Sequence, residues 1–176
     1  AKSHDMSYAS GGKGVPGHLA AEMFLAATGL RMTHVPYNGP NAAVQDMIEG
    51  KVQCGFLSTA VVMPHVKSGK LNGLAVSTAK RSPSVMELPT VSEAGIAGYE
   101  ATFGDLLLAP KGTPPQVLAA LNEAIGAVLA QPDARDKFLA SGLEFVPNTP
   151  EQAAARLRRE SDKWLQVVER LGLRAE

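Results

Sequence analysis

Apolar and polar positions along the chain switch repeatedly between two periods. Residues 6–10 form a short, apolar, β-prone run that ends in Gly11-Gly12-Lys13-Gly14, and residues 17–28 then place Leu19, Met23 and Ala26 at helical spacing. This is the order strand, glycine loop, helix. Residues 31–37 predict a second strand, residues 41–48 a helix closed by Gly50, and residues 52–57 a third strand. A helix over residues 60–67 and a strand over residues 71–76 continue the alternation. Strands and helices alternating at this spacing imply an α/β fold with a mostly parallel sheet covered by helices.

Between residues 83 and 99 the pattern breaks into turn residues around one short helix, whose start is signalled by Thr90 with Glu93 three positions on, a capping box. Residues 101–109 predict a longer apolar strand. Thr113-Pro114-Pro115-Gln116 combines a hydroxyl cap, Pro at the first helical position and Gln at the third, so a helix should run to Leu129. Thr149-Pro150-Glu151-Gln152 repeats the device, and Ala153, Leu157, Trp164, Val168 and Leu171 line one face of the helix that follows. The chain divides near Tyr99, into residues 1–99, a compact α/β lobe, and residues 100–176, a strand followed by helices whose apolar faces need a partner surface.

Composition narrows the function classes. Seventeen Lys and Arg balance seventeen Asp and Glu in 176 residues, so nothing draws the chain as a whole to nucleic acid or to anionic lipid. Seventeen Gly and twelve Pro with 45% hydrophobic residues describe a globular chain rather than a disordered one. Cys54 has no second cysteine to pair with, and the four His lack metal-ligand spacing, so no metal site is expected. No apolar run reaches the roughly 20 residues a bilayer-spanning helix needs. The start at Ala1-Lys2-Ser3-His4-Asp5, without an initiator Met or an apolar leader, reads as a processed chain or an excised piece.

The glycine loop is the sharpest local feature. Gly12-Lys13-Gly14-Val15-Pro16-Gly17 matches G-x-G-x-x-G between a strand and a helix. A dinucleotide site also needs an acidic residue about 20 positions on, where this chain has His34, Val35, Pro36, Tyr37 and Asn38. A P-loop needs Lys and Ser or Thr where His18 and Leu19 stand. The broader reading survives both mismatches, because backbone N–H groups at the positive end of a helix suit any small anion, including a carboxylate. The alternative is a loop whose glycines serve only a tight turn.

In an open parallel sheet the ligand crevice lies beyond the carboxyl ends of the strands. The loops expected there carry Ser10, Gly11, Gly12, Gly14 and Val15, then Tyr37, then Ser58 and Thr59. Ser10 offers a hydroxyl and Tyr37 a ring or hydroxyl, or else Tyr37 packs at the lobe edge. Ser58 and Thr59 can hold a carboxylate or cap the next helix. His18 and His65 have no partner constellation for a triad and read as structural. No catalytic residue and no cofactor are assigned.

Several separated stretches resemble one family. YASGGKGVPGHLAAEMF from Tyr8, HVPYNGPNAAVQDMIEGKV from His34, HVKSGKLNGLAVSTAKRSP from His65, LPTVSEAGIAGYEATF from Leu88 and APKGTPPQVLAALN from Ala109 are similar, in order, to the periplasmic solute-binding proteins of tripartite tricarboxylate transporters, the Bug receptors. The resemblance implies a periplasmic-binding-protein-like (type II) lobe plus C-terminal helices belonging to the other lobe. It further implies a non-enzymatic receptor that closes on a small organic acid, a di- or tricarboxylate or an aromatic carboxylate, and passes it to a membrane permease. It makes Ser10 to Val15 the carboxylate loop, rich in backbone amides, with Tyr37 and Ser58-Thr59 beside the cleft.

Three positions depart from the family pattern. Val15 stands where many relatives have Ser or Thr, Thr59 in a turn where Asp is frequent, and Gly104-Asp105 where an aromatic residue is usual. The resemblance also implies that the chain starts just before the second lobe and lacks more than the first third of a typical member. A periplasmic fragment without its signal peptide, binding carboxylates weakly and either self-associating or repacking its C-terminal helices, is then expected. A nucleotide-dependent enzyme and a ligand-free assembly fragment are the alternatives.

Overall fold

The computed structural model describes residues 6–172, except the Leu171 side chain; Ala1 to Asp5 and the Leu171 contact expected on the last helix lie outside the described residues. Three parallel strands, β1 (Ser7–Ser10), β2 (Thr33–Pro36) and β3 (Cys54–Gly55), form a sheet in the order β2-β1-β3. The first connection, through α1 (Pro16–Thr28), leads from β1 to β2, and the second, through α2 (Pro40–Ile48), passes back over β1 to β3. The chain therefore reverses direction around β1, the place where an open α/β sheet has its ligand crevice.

Strand alternation sorts the side chains onto two faces. Tyr8 pairs in register with His34, and Ala9 with Val35. Ala9 and Val35 join Ala43 and Met47 of α2 in one apolar cluster, whereas Tyr8 and His34 stack together on the face where α1 supplies His18. A second cluster joins Ala20, Met23 and Phe24 of α1 to Phe56, Tyr99 and Trp164. The third gathers Met63, Val76 and Val85, below α3 (Thr59–Lys67).

Several expected elements are shorter than their sequence pattern. The third strand contracts from residues 52–57 to Cys54–Gly55. The expected strand over residues 71–76 is reduced to one bridge, Val76 with Thr90. Thr90 and Glu93 do exchange the two hydrogen bonds of a capping box, at 2.8 and 3.0 Å, yet the chain turns on itself and no helix follows. Residues 101–109 form no strand, because no neighbouring strand meets their backbone; Leu107 and Leu108 stand 77% and 74% exposed.

The last third is helical: α4 (Pro115–Leu129), α5 (Pro132–Ala140) and α6 (Pro150–Leu171). Pro114, not Thr113, is the cap residue of α4, because the Thr113 hydroxyl turns back to donate to the Pro110 carbonyl at 2.8 Å. In α6 the expected capping box is complete: Thr149 Oγ1 accepts from the Gln152 N–H, and Gln152 Oε1 accepts from the Thr149 N–H. α5 was not expected, although Pro at its first turn followed by Asp133 is a start signal. The expected α6 face is covered only in part: Trp164 packs on the α1 cluster and its ring stacks on Phe103 at 4.5 Å, whereas Leu157 is 42% exposed, and the buried residue is Val167, next to the expected Val168. α4 packs against its helical neighbours without one buried residue.

Candidate functional site

The loops after β1 and β2 are stitched together beyond the sheet. The Tyr37 N–H donates to the Ser10 carbonyl and the Gly39 N–H to the Gly11 carbonyl, both at 3.1 Å. The strand ladder thus continues into the loops and fixes Ser10 to Gly12 beside Tyr37 to Gly39. The end of β3 is brought in by Gly17. A Cβ at that position would collide with the Phe56 carbonyl oxygen, so only glycine lets the first turn of α1 lie directly against the chain leading to Ser58 and Thr59. The three loops that carry the expected site residues therefore sit at one end of the sheet.

Ser10 is fully buried and works inside the loop. Its hydroxyl donates to the Gly12 carbonyl at 2.8 Å, accepts from the Gly12 N–H at 3.3 Å and lies 2.7 Å from His34 Nε2. It is a strut under the glycine turn rather than a donor facing solvent. Gly11 and Gly12 are half-buried, Gly14 is exposed, and Gly12 and Gly14 have φ of 149° and 72°. The Gly14 N–H donates to His18 Nδ1 at 3.0 Å. Val15 is the cap residue of α1 and makes no side-chain capping bond, while the first turn carries no acidic residue. The positive end of α1 is thus unneutralised by its own sequence, and exposed Lys13 adds a cation to the same loop.

Tyr37 and Ser58-Thr59 correct the detail of the sequence reading. The Tyr37 hydroxyl donates to Asp46 Oδ2 at 2.8 Å, so its ring, not its hydroxyl, is what the loop can offer. Burial, followed by the bond to Asp46, raises the Tyr37 hydroxyl above its ordinary value, and the same bond with the Lys51 ammonium holds Asp46 below the carboxylate range. Ser58 precedes α3 but makes no side-chain capping bond, and it is exposed. Thr59 is half-buried, with the turn after α5 against it: a Cβ on Gly142 would lie 3.1 Å from Thr59 Cβ.

Beneath the loop lies a polar stack that local sequence reading missed. The rings of Tyr8 and His34 are 4.8 Å apart and those of His34 and His18 are 4.1 Å apart, nearly parallel in both cases. Tyr8 donates its hydroxyl to Glu22 Oε1, which also lies 3.9 Å from His18 Nε2. Burial dominates the titration of all three: it lowers both His and raises Tyr8. The signal was the in-register pairing of Tyr8 with His34, which becomes visible only once the two strands are known to be neighbours. Hollows of about 430 Å³, at Met23, Tyr99 and Arg170, and about 330 Å³, at Leu118, Asn122 and Pro150, lie away from these loops.

The arrangement suits an anion with oxygen acceptors: backbone amides, a helix N-terminus and a nearby cation. Ser10 lies against His34, but its buried hydroxyl gives its proton to the Gly12 carbonyl, so the pair is not a nucleophile activated by a base, and Cys54, half-buried in β3, has its thiol pushed up by desolvation. Among the described residues no group of three or more His, Cys, Asp or Glu could hold a metal ion, and no helix is long and apolar enough to cross a membrane.

Residues 1–173 match the family model described as "Tripartite tricarboxylate transporter family receptor". Protein BugT of Bordetella pertussis is 31% identical over 172 residues, which cover 98% of this chain and 53% of BugT. A protein from the tcbD-tcbE intergenic region of Pseudomonas sp. strain P51 is 31% identical, over 93% of this chain and 49% of its own. Among solved structures, R. palustris Rpa4515 with adipate is 32% identical, with a TM-score of 0.81, over 96% of this chain and 56% of that one. The periplasmic binding protein BugD is 28% identical, with a TM-score of 0.74, over 97% and 58%. MatC from Rhodopseudomonas palustris with bound malate is 25% identical, with a TM-score of 0.71, over 96% and 58%.

The chain spans about half the length of the curated relatives it matches. The α/β fold is that of periplasmic binding proteins, and a match to receptors along nearly the whole chain removes the nucleotide-dependent enzyme as an alternative. The family is one of substrate-binding receptors, not of enzymes, and this chain belongs to it: the receptors of the tripartite tricarboxylate transporters.

Proposed function

We propose that this chain is the ligand-binding lobe of a periplasmic receptor that captures a small organic carboxylate and presents it to the permease subunits of a tripartite tricarboxylate transporter. Residues 1–99 form the lobe in this reading, and residues 100–176 a segment that serves the partner lobe. The carboxylate rests on the turn Ser10, Gly11, Gly12, Gly14 and Val15, with the Tyr37 ring and the Ser58-Thr59 turn at the rim. Ser10 and Tyr37 contribute by position rather than by a free hydroxyl, and the holding falls to backbone amides of the turn other than those of Gly12 and Gly14, which already donate to Ser10 Oγ and His18 Nδ1 and fix the turn's shape. The observation that carries the reading is the convergence of three strand-end loops on an α1 N-terminus with neither a capping side chain nor an acidic residue. The adipate and malate held by similar proteins set the ligand class to test first.

Because this turn meets the acid from one side, with Gly14 exposed, and leaves it half-enclosed, affinity should be weak. Amide NMR titration with adipate and with malate reads such binding directly. The expected result is saturable shifts at Gly11, Gly12, Gly14 and Val15. Shifts confined to other parts of the chain, or none at saturating acid, would show the site to be misplaced, and calorimetric binding in the nanomolar range would overturn the half-enclosed reading.

A further inference from the structure

We propose that His18 is the positioning residue of the glycine loop, holding the Gly14 amide only while its Nδ1 carries no proton, so that acidification releases the loop and weakens carboxylate capture. The capture half of this statement rests on the reading of Ser10 to Val15 as the carboxylate loop. The positioning half rests on hydrogen-bond polarity alone. A backbone N–H can donate to Nδ1 only when that nitrogen offers its lone pair, and the Gly14 N–H does so at 3.0 Å. Neutral His18 must then carry its proton on Nε2, the nitrogen that faces Glu22 Oε1 at 3.9 Å. Protonation at Nδ1 sets two N–H groups against each other and removes the bond.

His34 behaves differently although it sits in the same stack. The Ser10 hydroxyl has one hydrogen and donates it to the Gly12 carbonyl, so His34 Nε2, 2.7 Å away, is the donor to Ser10 Oγ. It remains a donor after a second proton arrives on the ring. Titration of His34 therefore leaves its loop contact standing, whereas titration of His18 breaks one. With the rings 4.1 Å apart, a charge on either opposes a charge on the other.

The groups facing the pair come from every element around it. Tyr8 of β1 covers the other face of His34, Glu22 of α1 attracts a proton to both rings, and Lys13 of the loop opposes one. Burial outweighs these and lowers both His, so at neutral pH the loop-holding form is the populated one. Release begins below the ordinary histidine value of about 6.5.

The test compares the chain with His18→Asn, whose amide oxygen can take the place of Nδ1 without titrating, and with His18→Ala. Protection of the Gly14 amide against hydrogen exchange is measured without ligand, and malate affinity by NMR, from about pH 7.5 to about pH 5. Expected are a three- to tenfold loss of Gly14 protection in His18→Ala at about pH 7.5 and retained protection in His18→Asn. Malate affinity should fall with acidification more steeply in the native chain than in His18→Asn, which cancels protonation of the malate itself. Equal pH dependence in the two, or Gly14 protection indifferent to His18→Ala, overturns the proposal; if His18→Ala fails to fold, the His18→Asn comparison decides alone. Gly14 protection that follows His18 while malate shifts no loop amide supports the positioning role and sinks the site reading instead.

Discussion

Gly17 and Gly14 are both glycines of one turn, yet different forces hold them there. At Gly17 the obstacle is contact, because an added Cβ would run into the Phe56 carbonyl, a backbone atom that cannot swing away. At Gly14 the obstacle is conformation alone, with φ at +72° and nothing within 4 Å of the missing Cβ. Gly17→Ala should cost about 3 kcal/mol, the upper part of the overpacking range, and shift the amides of Phe56 to Thr59; Gly14→Ala should cost about 1 kcal/mol. Urea unfolding of both variants tests the ordering, and equal losses would refute it. The two stacked histidines, His18 buried and His34 half-buried, add a pH dependence. Both have folded-state values below the ordinary one, so below about pH 6.5 the unfolded chain binds more protons than the folded chain. Stability should be full above that point and decline as the pH falls toward the folded-state values, and replacing His34 by Gln should shrink the decline. The glycine turn was legible in the sequence because its spacing is local. The stack beneath it was not, since Tyr8, His18 and His34 meet only after β1 and β2 pair.

Helix α6 shows how a sequence signal and a tertiary contact divide the work of one element. Thr149 and Gln152 satisfy each other's backbone N–H at its start, and Trp164, two turns before its end, fastens it to α1 and Phe103. Thr149→Ala should cost about 1 kcal/mol and fray the first turn. Trp164→Ala should cost about 2–3 kcal/mol, less than for a fully buried Trp because the ring is half-exposed, and should release α6 from α1. Circular dichroism and urea unfolding separate the two: helix content should fall in the first, and the cooperative transition should weaken in the second. A Trp164→Ala transition unchanged from the native one would mean that α6 does not rest on α1. Capping signals and helical periods are local, and so α1, α2, α3, α4 and α6 were all readable from the chain. Strands are not local. Residues 71–76 and 101–109 have a strand's composition, but a strand exists only where another backbone accepts its hydrogen bonds in succession; among the described residues these two make the Val76 bridge and a bond from the Ala101 N–H to the Ser77 carbonyl at 2.8 Å, too little for a ladder.

The molecule as a whole has apolar surface that its own fold leaves open. Leu106, Leu107 and Leu108 are exposed along the unpaired segment, and Val117, Leu121 and Val128 of α4 are each about half-exposed. Burial of apolar area at about 25 cal/mol per Å² makes a second copy of the chain a favourable cover, because soluble monomers rarely leave contiguous apolar patches beyond a few hundred Å². Sedimentation velocity should show weight-average mass rising with concentration, and Leu107→Ser with Leu108→Ser should weaken that rise about tenfold, the loss expected for two half-buried leucines. A monodisperse monomer with low dye binding at high concentration would refute the association. Among the described residues the C-terminal segment meets the Ser58-Thr59 rim where the turn at Gly142 lies against Thr59 and Ala60. Gly11, Gly12 and Gly14 are instead held by β1, β2 and α1. Association through α4 and its flanks should therefore reach the site only at its Ser58-Thr59 rim: on dilution the amides of Thr59 and Ala60 should shift, while those of Gly11 to Gly14 stay in place.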